Sequence, residues 1–252
     1  MEWLVAVGLV VLLIYLVMSE LNGTSPVSVS RRRLCDYHAQ GSVFEDVSSA
    51  LKRGLRLVEL HVYSDEQDWP IVAKEPLNAG YDYAENNWTF EECCVAIAND
   101  AFPSRDPLIL SIVPHTNSNL TMNRVAEHLK TTVHRHLIPD KDVHEMPLDQ
   151  LANKIVLVSG GNINGTDLEE MVNLSWNESN LRRLGYSQAV FPRDQPDLVA
   201  FNRSAITLVA PDPAFGKAKV NPEVVRAYGC QWILFPDPSA PGGFTEKPSG
   251  LQ

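Results

Sequence analysis

Three places in the 252-residue chain carry residues whose types could do chemistry. Glu59 and His61 lie near the end of one apolar run, RLVELHVY at 56–63, and His115 closes another, PLILSIVPH at 107–115. At the C-terminal ends of adjacent strands, Glu59, His61 and His115 would form a loose His/Glu metal set, or else a group of hydrogen-bonded polar residues at the mouth of a sheet. Ser159-Gly160-Gly161-Asn162, after a third apolar run, could cradle a phosphate with its backbone amides. The same residues also suit an ordinary turn. His128, His134, His136 and His144 fall in or beside a helical stretch and read as solvated or satisfied residues.

The elements that must position these groups alternate between strand and helix, the pattern of a parallel sheet with helical crossovers. Strands are expected at 27–35, 56–63, 107–113, 154–158, 189–191, 205–209 and 231–235. Helices are expected at 42–53, where Gly54 supplies a stop, and at 89–101, 119–135, 166–184 and 221–228. A last short strand at 243–246 brings the count to the eight that closure of a barrel needs. No interdomain linker, repeat or low-complexity tract is visible, so residues 27–252 read as one domain.

The segment before that domain differs in character. Residues 3–18 are an uncharged apolar run, which makes 1–26 a signal peptide or a signal anchor with an apolar helix. Seven Asn-X-Ser/Thr acceptors follow, at Asn22, Asn87, Asn119, Asn164, Asn173, Asn177 and Asn202. They favour a domain in the secretory lumen or outside the cell, either secreted or tethered as a single-pass membrane protein. The basic residues Arg31–Arg33 oppose this by the positive-inside rule, but they stand far enough past the run to belong to the fold. A net charge of −10 without a larger basic face excludes nucleic acid as a partner and argues against adhesion to anionic lipid. Cys35, Cys93, Cys94 and Cys230 lack CxxC spacing, which speaks against zinc. One or two disulfides are open to them, although Cys230 reads as a buried thiol.

Seven pieces in order resemble the phosphatidylinositol-specific phospholipase C family. SVFEDVSSALKRGLRLVEL at 42–60 is similar to the segment leading into that family's VELDCWDG strand, and Pro70-Ile71-Val72 to the PIV before its YHGHT. LILSIVPH at 108–115 resembles VILSLENH, VAEHLK at 125–130 resembles MAEYLK, and LANKIVLV at 151–158 resembles LKGKILVK. Asn221-Pro222 with Gly229-Cys230-Gln231 resembles NP…GCQ, and GGFTEKP at 242–248 resembles GGFVLKP. The resemblance implies a (β/α)8 TIM barrel, irregular in outline, and a phosphoric diester hydrolase that uses two histidines and a calcium ion held by Asn, Glu, Asp and Glu.

Position by position, little of that machinery carries over. Glu59 matches a calcium ligand, but His61 stands for the paired Asp and Val113 for the next Glu. Lys74 replaces the YHGHT histidine; its ammonium could neutralise a phosphate but is no base near neutrality. His38 reaches the position of the HNTY histidine only if the loop shifts. Leu208 and Ala210 replace the arginine and tyrosine of SRIYP, and Ser159-Gly160-Gly161 the lysines after KILVK. The expectation is a barrel inactive towards phosphoinositides that binds a lipid or protein ligand and needs no cofactor, with calcium only if active. An active diesterase with a rebuilt site on a glycerophosphodiester or inositol phospholipid is the alternative. Asn87, Asn119 and Asn164 are expected in loops around the mouth, where glycans would obstruct a bilayer.

Overall fold

Runs rich in leucine, isoleucine and valine become strands here because parallel strands are buried on both faces. The computed structural model describes residues 32–43, 46–74, 87–212, 221–235 and 242–248. A 3-10 turn at Leu34–Asp36 leads into β1 (Tyr37–Val43) and α1 (Val47–Lys52), whose first turn is capped by Asp46. β2 (Leu57–Ser64) follows, then a small antiparallel flap of β3 (Pro70–Val72) and β4 (Trp88–Thr89). Thr89 and Glu92 form a capping box that starts α2 (Phe90–Asp100). Next come β5 (Leu108–Pro114), α3 (Asn119–Thr132), β6 (Ile155–Ser159), α4 (Asp167–Met171), β7 (Leu174–Ser175) and β8 (Leu181–Gly185). The chain ends with α5 (Tyr186–Val190), α6 (Gln195–Phe201), β9 (Ile206–Ala210), α7 (Pro222–Arg226), β10 (Trp232–Phe235) and β11 (Phe244–Glu246).

Eight strands pair in the order β7-β6-β5-β2-β1-β10-β9-β8, every neighbour parallel. This is a (β/α)8 barrel, irregular because β7 and β8 end the hydrogen-bonded path and leave a seam between them. The barrel interior is filled by one cluster that includes Ala39, Leu57, Ile109, Val158, Leu208 and Trp232. A second cluster packs the outward side chains of β2, β5 and β6 against α1, α2 and α3, and a third lies under α5 to α7.

Several expected elements shift. The part of 27–35 that is described holds the 3-10 turn rather than a strand, because Arg33 and Asp36 close on each other by backbone and side-chain hydrogen bonds. Ser42 and Val43 complete β1, so the helix expected at 42–53 begins only at Val47. The helix expected at 166–184 stops at Met171, and two strands, β7 and β8, occupy the rest. Its leucines fit a helical period, but the buried Asn173 amide accepts from the Leu157 N–H and donates to the Ile138 and Asp140 carbonyls, which ends the helix. Residues 189–191 close a helix and are no strand. β11 is not the eighth barrel strand: it pairs antiparallel with the start of β1, outside the path.

All four cysteines are buried free thiols. The apolar segment 3–18 lies outside the described residues, as does Asn22. Among the described residues no helix is long and apolar enough to cross a membrane.

Candidate functional site

Side chains alternate along a strand, and Leu57 on β2 and Ile109 on β5 point into the barrel. Glu59, His61 and Tyr63 therefore follow Leu57 inward towards the C-terminal end of β2, and Ser111, Val113 and His115 follow Ile109 along β5. The register sets Glu59 beside Ser111 and His61 beside Val113. Arg183, inward on β8, reaches the same point from the far side of the barrel.

The Glu59 side chain is wholly buried, and both its oxygens are occupied. Arg183 donates from Nη2 to Oε1 at 2.7 Å and from Nε to Oε2 at 3.3 Å, and the Ser111 hydroxyl donates to Oε2 at 2.9 Å. His61 Nε2 lies 3.1 Å from Oε1. Burial alone would raise this carboxyl, but the His61 hydrogen bond and the Arg183 guanidinium outweigh it and hold the group at about 2. An ionised carboxylate only accepts, so His61 Nε2 carries a proton. The other ring nitrogen, Nδ1, meets His115 Nε2 at 2.8 Å. His115 stacks on Tyr63 with ring centroids 4.6 Å apart. Partial burial, His61 and Arg183 push His115 down to about 4, so it is neutral near pH 7. A hydrogen-bonded chain thus runs from Arg183 through Glu59 and His61 to His115 at the exposed rim.

These residues do not fit a calcium ion. Calcium takes six to eight oxygen ligands. Here the one carboxylate on the inner face of β2 and β5 is saturated by a cation and two hydrogen bonds, and Val113 offers no donor. A divalent ion at Glu59 would also face the Arg183 charge. The looser metal set of Glu59, His61 and His115 fails for a related reason, since both nitrogens of His61 are engaged. Among the described residues no group of three His, Cys, Asp or Glu side chains could hold a metal.

The remaining candidates lie apart. His38 neighbours the inward Ala39 on β1, so it faces outward; it is buried, with Nδ1 3.1 Å from the Cys230 carbonyl, and burial pushes its pKa to about 4. Lys74 is exposed just beyond β3, and its carbonyl accepts from the Tyr63 hydroxyl at 3.3 Å. Ser159 is buried and donates to the Ile112 carbonyl at 2.7 Å. The Gly161 N–H donates to Asn177 Oδ1 at 3.0 Å, and Asn177 Nδ2 returns to the Gly161 carbonyl at 3.2 Å. The hydroxyl and one amide of the expected phosphate cradle are therefore already engaged, with β5 and with Asn177. A Cβ on Gly160 would run into the Trp176 indole, which lies beside Arg183 with 5.7 Å from guanidinium carbon to ring centroid. Of the acceptor asparagines, Asn87, Asn119, Asn164 and Asn177 are exposed, while Asn173 and Asn202 are buried.

Sequence reasoning missed Arg183 and Trp176, both inside the stretch read as helix. The alternation in LRRLG, with Leu181 in, Arg182 out, Arg183 in and Leu184 out, was the available signal of a strand.

An eight-stranded parallel barrel with its polar cluster at the C-terminal mouth is the TIM-barrel architecture. The model of the phosphatidylinositol-specific phospholipase C X domain matches residues 34–160, and the chain belongs to that family. Among solved structures, PLC21 of L. pealei aligns with a TM-score of 0.70 at 16% identity over 95% of this chain, which spans 41% of that one. The calcium-dependent phosphoinositol-specific phospholipase C of Pseudomonas sp aligns with a TM-score of 0.59 at 13% identity, covering 89% of this chain and 98% of that one. The phosphatidylinositol-specific phospholipase C of Listeria monocytogenes gives 0.51 at 10% identity, covering 83% and 92%. No curated protein matches the sequence.

Proposed function

We propose that this phospholipase C-like barrel does not hydrolyse phosphoinositides with calcium and serves as a binding module in the secretory lumen or outside the cell, delivered there by its N-terminal apolar segment. The observation that carries the reading is the saturation of Glu59. In a calcium-dependent site the carboxylates wait for the cation; here the Arg183 guanidinium already neutralises the charge. Lys74 and Val113 remove a histidine and a carboxylate that the family's reaction uses. The test is hydrolysis of phosphatidylinositol vesicles by the purified full chain with calcium against chelator. No calcium-dependent product is expected, and measurable calcium-dependent turnover would overturn the reading.

One observation favours a second reading, an active diesterase that works without a metal. The chain Glu59, His61, His115 ends on an exposed imidazole held neutral, a group able to accept a proton. Glycerophosphodiesters incubated in chelator would then release a phosphomonoester, and His115→Ala would abolish it. A lack of product above the buffer rate sinks this alternative.

A further inference from the structure

The six Asn-X-Ser/Thr acceptors within the described residues fall into two groups. Asn173 is buried just ahead of β7: Oδ1 accepts from the Leu157 N–H at 2.8 Å, and Nδ2 donates to the Ile138 carbonyl at 3.0 Å and the Asp140 carbonyl at 2.7 Å. Asn202 is buried at the end of α6: Nδ2 donates to the Tyr228 carbonyl at 2.8 Å and to the Cys230 sulfur at 3.6 Å, and Oδ1 accepts from the Thr207 hydroxyl at 2.6 Å. Each holds a place in the core that no larger group can share.

The other four are exposed and stand at one end of the barrel. Asn87 precedes β4, whose Trp88 pairs with Val72 and through it with Val62, so Asn87 lies near the level of His61. Asn119 opens α3 just past β5, and Asn164 lies between β6 and α4. Asn177 follows β7 and is paired with Gly161 beyond the end of β6. These are the connections that border the C-terminal mouth on the side from β2 to β7.

We propose that Asn87, Asn119, Asn164 and Asn177 carry N-linked glycans that form a collar along this side of the mouth, while Asn173 and Asn202 stay unmodified in the folded protein. The proposal rests on the lumenal reading given above. In the transfer, Nδ2 bonds to the anomeric carbon of a lipid-pyrophosphate-linked oligosaccharide, the bond from that carbon to the pyrophosphate oxygen breaks, and the pyrophosphate leaves with the electron pair. Nδ2 gives up one proton to the transferase base and keeps one. One is enough at Asn177, which donates a single bond to Gly161. It is not enough at Asn173, where both protons already go to backbone carbonyls; a buried carbonyl would lose its partner, and the sugar would have to displace the core. A bilayer approaching the mouth would meet sugar first, so the mouth takes ligands that arrive from solution.

The full chain, expressed in a glycosylating host, can be digested by a glycoamidase in heavy-oxygen water and its peptides mapped by mass. Marks are expected at the four exposed acceptors and at neither buried one. Each single Asn→Gln change at 87, 119, 164 or 177 should remove one glycan's step in mobility. Ser204→Ala, which erases the Asn202 acceptor through an exposed residue and leaves Asn202 in place, should remove none. Glycan on Asn173 or Asn202, or only Asn22 marked, or fewer than three of the four occupied, overturns the collar while leaving the lumenal reading intact. A chain without glycan at any of the seven acceptors overturns both.

Discussion

Replacing Arg183 by methionine keeps much of the side-chain volume and removes the guanidinium that meets both oxygens of Glu59. The size of the effect follows from the carboxyl it faces. Glu59 sits at about 2 against an ordinary 4.5, and each pKa unit corresponds to about 1.4 kcal/mol, so the folded environment favours its ionised form by roughly 3 kcal/mol. A depressed carboxyl contributes that stability fully above its unfolded pKa, near 4.5, and loses it as pH falls through the folded value near 2. His61 shares the work, so Arg183→Met should cost about 2 to 3 kcal/mol at pH 7 in urea unfolding, and the acid loss between 4.5 and 2 should shrink. Glu59→Gln preserves shape and leaves an arginine whose side chain is one-quarter exposed and can turn to water; it should cost about 1 kcal/mol. The double variant then gives a coupling of about 1 to 2 kcal/mol. A coupling below about 0.5 kcal/mol, or acid unfolding curves that superimpose for wild type and Arg183→Met, would refute the pair as the organiser of the mouth. Neither variant should acquire calcium-dependent hydrolysis, since Val113 still provides no ligand.

Gly160→Ala forces the Trp176 indole from its seat and should cost about 1 to 3 kcal/mol with a shift in tryptophan emission; an unchanged spectrum and melting temperature would contradict the packing. His38 has a folded pKa of about 4 against 6.5, so the unfolded chain binds the proton first on acidification. Stability should therefore fall between pH 6.5 and 4 by up to about 1.4 kcal/mol per pH unit from this group, and urea midpoints measured across that range should flatten in His38→Gln. Buried Lys247 donates to the Asn202 carbonyl at 2.7 Å and the Cys35 carbonyl at 3.1 Å. Lys247→Met should cost about 1 to 3 kcal/mol and speed amide exchange in β11 more than in β5, and equal exchange in the two strands would count against that anchoring.

The strands at the centre of the sheet were legible because a run buried on both faces has one reading. The run 107–113 became Leu108–Pro114, and 154–158 became Ile155–Ser159. The stretch 166–184 was not legible, because its leucines satisfy a helical period while a single buried amide, Asn173, terminates the helix through partners as far back as Ile138. Counting strands also misled: the total of eight is right, but 27–35, 189–191 and 243–246 are not barrel strands, and β1, β7 and β8 take their places. In the site, Glu59, His61 and His115 could be placed on adjacent strand ends from their runs alone. Arg183 could not, since it meets Glu59 across 124 residues of sequence and only through closure of the barrel. His38 was left open by the sequence; alternation about Ala39 decides its face.

The pair at the mouth also bears on how the barrel holds its shape. β8 is hydrogen-bonded along one side only, to β9, because the path ends there. The seam beside it is bridged through Asp142: Asn180 Nδ2 donates to Asp142 Oδ1 at 2.7 Å, and the Asp142 backbone N–H donates to the Asn173 carbonyl at 3.0 Å. Arg183 adds a tie from β8 straight across the barrel to β2, one of the best-paired strands of the sheet, bonded to β1, β3 and β5. A calcium ion could gather carboxylates at a mouth but would not by itself fasten this edge strand. A guanidinium on β8 both neutralises Glu59 and ties this edge strand to β2. Removing Glu59 alone therefore leaves an unpaired charge on a strand with backbone pairing along one side only. Arg183 therefore both sets a positive charge against any divalent ion at Glu59 and holds the edge strand β8.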